Sequence, residues 1–298
     1  MLDFKRLTLL RELQLRGSIA ATARVIGISA SAISQQLTKL ETEAGLPLLE
    51  QVGRNIQLTP AARQLVARVD EAVMVLEGAA AELEARSSRV QGVIRFAAFG
   101  TFARTYLPET LRRLSLVYPD VVVEFTQLEP SEALDSLASR RADIAMVDEF
   151  THIPRRTDEG LVRTLVTRDR VDIFLPHPIS DAIELEDLHW AFEPRGTDAY
   201  LWTQRFCREL GFEPKVTFDS PDPRLHYELV AAGVAAAFLP HMVFDGEIPS
   251  HGTMTRWVPS DAEVEKSMFR DIYAVGRRGS HLRPAVRSFL EILCEVAS

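Results

Sequence analysis

Cysteine is nearly absent from this chain. Only Cys207 and Cys294 occur among 298 residues, too few for a disulfide framework and suited to two reduced thiols. Long apolar runs are missing as well: the longest, Leu229 to Leu239, is about half of what a bilayer-spanning helix needs. Met1 to Leu15 mixes charged and apolar residues without the hydrophobic centre of a signal peptide, so the expected location is the cytoplasm. Lysine is scarce, 4 against 30 arginines, a bias that reflects genome base composition more readily than function. No GxGxxG, GxxxxGKS/T, GxSxG or HExxH stretch is present. His152, His177, His189, His226, His241, His251 and His281 are scattered without metal-ligand spacing, so no metal, no cofactor and no enzyme activity are expected.

What is present supports a multidomain protein. The length suits two or three domains, and 46% hydrophobic residues can build real cores. The net charge of -8 is uneven: residues 1–63 hold eight Lys and Arg against five acids, +3, which leaves -11 for the remainder. A basic head on an acidic body fits nucleic-acid binding, although an imbalance this small is also within ordinary scatter.

The head reads as short helices. Phe4, Leu7, Leu10 and Leu13 make residues 3–15 amphipathic, and Gly17 ends that helix. Ser18 stands at an N-cap position, with Ile19, Ala23 and Ile26 as a narrow apolar stripe closed by Gly27. Ser29 caps the next helix, in which Ile33, Leu37 and Leu40 face inward and Ser31, Ser34, Gln35, Thr38 and Lys39 face solvent. Two helices joined by a short Gly-containing turn can place the second in a DNA major groove; the alternative is a solvated face on an ordinary helical hairpin. Residues 45–60 then read as a hairpin around the turn Val52 to Asn55, with Arg54 placed to reach a minor groove or a phosphate.

On these residues the chain resembles the winged helix-turn-helix of the LysR-type transcriptional regulators. The matching positions are Gly17-Ser18, Ala23, Ser29, Ala32-Ile33-Ser34, Leu40-Glu41, Gly45-Leu46-Pro47-Leu48, Leu58-Thr59 and Ala61. The chain departs at Ala30-Ser31, Gln35, Leu49, Gln51 and Ala62, where the family usually has Gln-Pro, Arg, Phe, Arg and Gly. The resemblance implies that Ser29, Ala30, Ser31, Ser34, Gln35, Lys39 and Arg54 line double-stranded DNA.

Thr59-Pro60 opens a further helix as N-cap and first-turn proline. Leu65, Val69, Ala72, Leu76, Ala79 and Leu83 recur in steps of four and three, a heptad seam through which residues 61–86 of two copies can pair; the alternative is a long helix lying on its own domain. A homodimer of this kind calls for an inverted-repeat operator, and the resemblance is consistent with pairing here and with a homotetramer as the fuller assembly. Ser87-Ser88 reads as a linker.

From Val90 onward strands and helices alternate. Expected strands are 93–98, 121–125, 144–147, 171–175, 190–192, 216–218, 235–239 and 271–275; expected helices are 102–116, 131–139, 198–210, 223–232 and 284–296. Such βαβ units imply parallel sheet, with ligands beyond the carboxyl ends of the strands. The candidate lining is Phe99, Gly100, Thr101 and Phe102, then Thr126, Gln127 and Leu128, then Asp148 and Glu149. Thr101 at a helix N-terminus suits a carboxylate or phosphate, Asp148 and Glu149 suit an amine, and the set would suit an amino acid. The same residues are equally readable as a helix cap and two hinge acids, and Arg195 as an anion ligand or a solvated loop charge. The stretches GVIRFAAFGTF, ADIAMV, FLPHP, LVAAGVAAAFLP and IYAV resemble landmarks of the periplasmic-binding-protein-like effector domain of the same regulators, with Ala235 where Gly is usual.

The expected fold is therefore α/β multidomain. It has an all-α winged helix-turn-helix over 1–59 (the motif itself at about 19–38), a dimerisation linker helix over 60–88, and a two-lobed α/β effector domain over 91–298. By the resemblance, lobe I is 91–163 plus 269–298 and lobe II is 164–268. The expected function is that of a DNA-binding transcription regulator responding to a small-molecule effector, a carboxylate or an amino acid. Two rivals are a plain solute-binding protein and a cytosolic enzyme with a helical cap; a redox sensor is disfavoured because both cysteines read as core residues.

Overall fold

Short-range signals build the head. In the computed structural model, which describes residues 2–52, 55–86, 89–155, 160–179, 182–244, 254–259 and 261–298, the chain opens with α1 (Phe4–Arg16), α2 (Ile19–Ile26) and α3 (Ala30–Ala44). Ser18 accepts from the Ala21 N–H at 3.2 Å and Ser29 from the Ala32 N–H at 3.1 Å, satisfying helix-start donors. Gly27 ends α2 at φ 78°, a left-handed conformation that a side chain disfavours. Ile33, Leu37 and Leu40 pack with Leu10 and Leu13 of α1 into one core. Ile26, expected on the inner stripe of α2, is instead 37% exposed. The residue α2 buries is Thr22, whose hydroxyl donates to the Ser18 carbonyl and so can sit inside. The hairpin β1 (Leu49–Val52) and β2 (Asn55–Leu58) follows, with Leu49 opposite Leu58. Arg54, expected at its tip, lies outside the described residues.

The linker helix α4 (Pro60–Ala85) starts at Thr59, which caps the Ala62 N–H at 3.2 Å. The first two residues of the expected seam face the chain itself: Leu65 packs on the head core and Val69 is buried. The rest of the seam is open, with Ala72 and Ala79 exposed and Leu76 and Leu83 at 56% and 70% exposure. Ser87 and Ser88 lie outside the described residues.

The body contains β3 (Gly92–Ala98), α5 (Gly100–Val117), β4 (Val121–Gln127), α6 (Pro130–Ala138), β5 (Ile144–Phe150), β6 (Leu161–Leu175), β7 (His189–Phe192), α7 (Asp198–Glu209), β8 (Lys215–Asp219), α8 (Pro223–Ala231), β9 (Ala236–Pro240), β10 (Thr255–Trp257), α9 (Ala262–Lys266), β11 (Phe269–Arg277) and α10 (Pro284–Ala297). The strands run in the order β4-β3-β5-β11-β6-β9-β7-β8, with β10 also on β6. Pairing is parallel among β3, β4 and β5 and among β7, β8 and β9. The sheet as a whole is mixed, because β6 and β11 run antiparallel to their neighbours and join the two parallel units.

Strand β6 crosses between the lobes, pairing with β11 as far as Arg170 and with β9 from Val171. It starts at Leu161, well before the expected Val171. Its first half carries charge that hides the strand signal, Arg168 pairing with Asp271 across to β11 at 2.7 Å. One core lies under α5 and α10 around Phe96, Phe102 and Phe289. A second lies under α7 around Trp190, Trp202 and Phe238.

Candidate functional site

The outward face of α3 is the first candidate. Ser29, Ala30, Ser31, Ser34, Gln35 and Lys39 are all exposed, opposite the buried Ile33, Leu37 and Leu40. Ser29 and Ser31 bond each other through their hydroxyls at 2.9 Å, and Ser29 also serves as the helix cap. A helix presenting Ser, Gln and Lys on a convex face is shaped to bond base edges and phosphates in a major groove.

The second candidate is a cleft of about 850 Å³ between the two lobes. Four helices begin at it, since Gly100, Pro130, Asp198 and Pro223 all line it. Three of these helix starts are already satisfied by acids or hydroxyls of the chain: Glu129 forms a capping box on α6, Thr197 caps α7 with Asp198 in its first turn, and Asp222 caps α8. The start of α5 differs, with no side-chain cap on Phe99 and no acid in its first turn. Its N–H groups and positive dipole end therefore face the cleft uncompensated, a place for an anionic group. Gln127 leans over this start, its Nε2 about 3.0 Å from where a Cβ on Gly100 would sit. One wall is apolar, made by Ala103, Leu107, Pro108, Leu111 and Phe125.

The floor holds a buried ion network that the sequence did not reveal. Arg270, 2% exposed on β11, donates from Nη2 to Asp169 at 2.9 Å, from Nη1 to Asp148 at 3.0 Å and from Nη2 to the Thr101 hydroxyl at 3.2 Å. Burial alone would favour the neutral guanidine, but Asp169, Asp148 and Glu193 outweigh it and hold the pKa above its usual value. Glu193, at the end of β7, is pushed by burial to about 8, with Asp148 and Glu129 adding like-charge repulsion and Arg270 opposing. Glu129 rises to about 7, first by burial and then by Asp148 and Glu132. A small recess of about 30 Å³ opens beside Glu193 and is lined by Trp202, Thr203 and His226. Trp202 Nε1 and His226 Nε2 are buried without a hydrogen-bond partner.

Of the expected cleft residues, Phe99, Gly100, Thr101, Gln127 and Asp148 line it, and Thr126 and Leu128 do not. Phe102 does not: α5 turns its side chain into the lobe core, fully buried beside Phe99 and Tyr106. Glu149 does not either. Successive strand residues face opposite sides, so with Asp148 inward Glu149 points away and pairs with Arg163 at 2.7 Å. Arg195 lies outside the lining, its guanidinium 6.0 Å from the Tyr200 ring. Asp148 itself is engaged by Arg270 and is no free amine ligand. Arg270, Glu129 and Glu193 were missed. A signal existed for the two glutamates, since both follow the carboxyl end of a strand; for Arg270, 169 positions from Thr101, none did. Both cysteine thiols are raised by burial, Cys207 strongly, which disfavours the reactive thiolate. Among the described residues no group of His, Cys, Asp and Glu could hold a metal ion, and no helix is long and apolar enough to cross a membrane.

Comparisons with known proteins agree with this architecture. The family profile described as bacterial regulatory helix-turn-helix protein, lysR family, matches residues 4–63, and that described as LysR substrate binding domain matches residues 87–298. The HTH-type transcriptional regulator ClcR of Pseudomonas putida is 28% identical over 98% of both chains. Among solved structures, a full-length OxyR variant from Pseudomonas aeruginosa superimposes with a TM-score of 0.69 at 18% identity, over 100% of this chain and 97% of that one. CbnR, solved in complex with its target DNA, gives a TM-score of 0.53 at 19% identity, over 99% of this chain and 100% of that one.

Proposed function

Since the chain belongs to the LysR-type transcriptional regulators, DNA-binding proteins with a substrate-binding domain behind the helix-turn-helix, we propose that it is a cytoplasmic homodimer, assembling further to a homotetramer, that reads an inverted repeat with α3 and responds to an anionic effector held on the α5 N-terminus. It has no catalytic role. The observation that carries this reading is the pairing, in one chain, of an exposed polar face on α3 with a cleft whose one open helix start points inward. The head contacts are Ser31, Ser34, Gln35 and Lys39, with Ser29 and Ala30 at the helix start, and Arg54, which follows β1 in the sequence, as a further contact. The open stripe of Ala72, Leu76, Ala79 and Leu83 supplies the pairing face.

Helix α6 supports a coupling between cleft and head. Its capping residue Glu129 lines the cleft, while at its far end the Leu137 carbonyl accepts from Arg277 at 2.7 Å and the Ala138 carbonyl from Arg11 of α1 at 2.7 Å. Arg140, just beyond, pairs with Glu77 of α4. Closing the lobes on an effector moves α6 and with it the contacts that hold the head.

A protection footprint of the purified protein on the DNA upstream of its own gene tests the reading. Two protected half-sites related by a dyad are expected, and Leu76→Lys should convert the protein to a monomer in sedimentation and abolish the paired pattern. A single protected half-site from the native protein would refute the dimer. Absence of protection at low salt would refute operator binding there and favour a solute-binding role.

A further inference from the structure

Resting on the reading of the interlobe cleft as the effector site, we propose that its ligand is a zwitterion of the amino-acid class, with the carboxylate on the α5 N-terminus, the ammonium between Glu129 of one lobe and Glu193 of the other, and an apolar side chain on the Leu107, Leu111 and Phe125 wall. The acids first read as amine ligands do not serve: Asp148 is bound to Arg270, and Glu149 faces Arg163. Glu129 and Glu193 both line the cleft, and among the described residues neither forms an ion pair.

Of the four arginines that line the cleft, three are engaged by acids of the chain. Arg270 is held by Asp148 and Asp169, Arg155 by Asp198 at 2.8 Å and Arg224 by Glu228 at 3.1 Å, while Arg104, on α5, is exposed and has no ion pair among the described residues. Two carboxyl groups that line one cleft and repel each other, with the buried Arg270 already paired to two aspartates, are complementary to an added cation, and Arg104 on α5 favours the carboxylate of the same ligand.

An independent observation points to the same place. His226, 2% exposed, lines the recess beside Glu193, and its Nε2 has no partner. Burial lowers the pKa of this imidazole against hydrogen bonding to the Ser220 and Phe192 backbone and the charges of Asp222 and Asp219, so the neutral ring keeps one acceptor position in the recess beside Glu193. A buried acceptor left open costs free energy that a ligand donor recovers. The ammonium would also bridge the lobes, since Glu129 caps α6 on one side and Glu193 follows β7 on the other. Ligation by those two acids gives the closed arrangement a contact that the open one lacks.

Protonation provides a signature. Glu193 faces Asp148, Arg270 and Glu129, and Glu129 faces Asp148, Glu132, Arg270 and Asp222. With pKa values raised to about 8 and about 7, the two acids hold protons below neutrality that an ammonium must displace. Amine binding therefore strengthens as pH rises, whereas binding of a simple carboxylate weakens as the acids ionise.

The test uses the full chain and three probes of one skeleton: L-phenylalanine, 3-phenylpropanoate lacking the amine, and 2-phenylethylamine lacking the carboxylate. Titration calorimetry is run on the native protein, Glu129→Gln and Glu193→Gln, with thermal melts confirming that the variants fold. At about pH 8.5 the amino acid should bind at least about tenfold more tightly than the des-amino acid, an advantage that shrinks at about pH 6.5 and disappears in Glu193→Gln. Should 3-phenylpropanoate bind equally well, with neither glutamate variant altering it, the ammonium assignment is overturned while the cleft remains an effector site for carboxylates. No binding of any probe up to about 10 mM overturns the zwitterion assignment. The cleft reading is then judged separately, by whether filling the apolar wall with Ala103→Trp changes the operator footprint.

Discussion

The recognition face of α3 and the interlobe cleft solve opposite problems. On α3 the side chains proposed to meet DNA are exposed, and Ser34, Gln35 and Lys39 have no partner among the described residues; they are held by a helix whose caps are local and whose inner face packs on the neighbouring α1. In the cleft the charged groups are mostly consumed by one another: Arg270 is locked by Asp148, Asp169 and Thr101, elements brought together from separate parts of the chain. The first surface can lose Ser34, Gln35 or Lys39 without disturbing the fold, though not the capping Ser29; the second cannot lose its central cation. Affinity and stability are thus separable in the head and entangled in the body.

The sharpest way to break that comparison is Arg270→Met. The substitution leaves two aspartates buried without their counter-ion, a change that typically costs about 3–5 kcal/mol. Denaturant unfolding should show the effector domain destabilised by that order at neutral pH. Part of the loss should be recovered in acid, as Asp169, whose pKa burial raises, takes up a proton. Unchanged stability would mean that the network is solvated and that cleft and head obey the same rule.

Locality also governs how much could be read from the amino-acid order. The caps Ser18, Ser29 and Thr59 act on N–H groups three residues away, and the inner face of α3 follows helical period, so the head was legible almost residue by residue. In the body the strand and helix alternation was legible, but the antiparallel passage through β6 and β11 was not, because their pairing is long-range and their exposed positions carry charge. Asp148 and Glu149 show what a finer reading would have caught. Adjacent strand residues cannot both face one cleft. Glu193 needed only the strand-end rule carried into the second lobe, whereas Arg270 is defined by partners that no spacing announces.

A smaller effect is expected at the head. Gln35→Ala removes an exposed amide with no structural duty, and specific operator binding should weaken by about 1–3 kcal/mol, with little change in the melting temperature. Nonspecific binding and the salt slope should stay near those of the native protein, because phosphate contacts are untouched. An equal fall in both would assign Gln35 to the backbone and erase its role in sequence reading.

The cleft acids give a pH dependence of the opposite sign to an ordinary salt-bridged carboxylate. Glu193 in the folded chain has a pKa near 8 instead of its usual 4.5, so between those values the native state holds a proton that the unfolded state has lost. Stability contributed by this group is complete below the lower value and declines as pH rises through the window. Glu193→Gln should abolish that decline. The variant should match the native protein near pH 4.5 and exceed it by about 1–2 kcal/mol at pH 8.5, a figure reduced from the full shift because the cleft is open to water. Thermal melts across the range check it, and parallel curves would remove Glu193 from the titrating set.

The smallest structural effect, Gly100→Ala, sharpens the comparison from the other direction. An added Cβ meets only Gln127 Nε2, at 3.0 Å, the tip of an exposed side chain that can rotate aside. Alanine is also the better helix former, so stability should change by no more than about 0.5 kcal/mol. The methyl nevertheless stands at the first residue of α5, where the uncapped N–H groups meet the cleft. Binding of 3-phenylpropanoate should weaken several-fold while the melt is unchanged. This part of the cleft would then behave as the face of α3 does, with ligand affinity removed and the fold left intact, and the entanglement of affinity with stability would be confined to Arg270 and its aspartates.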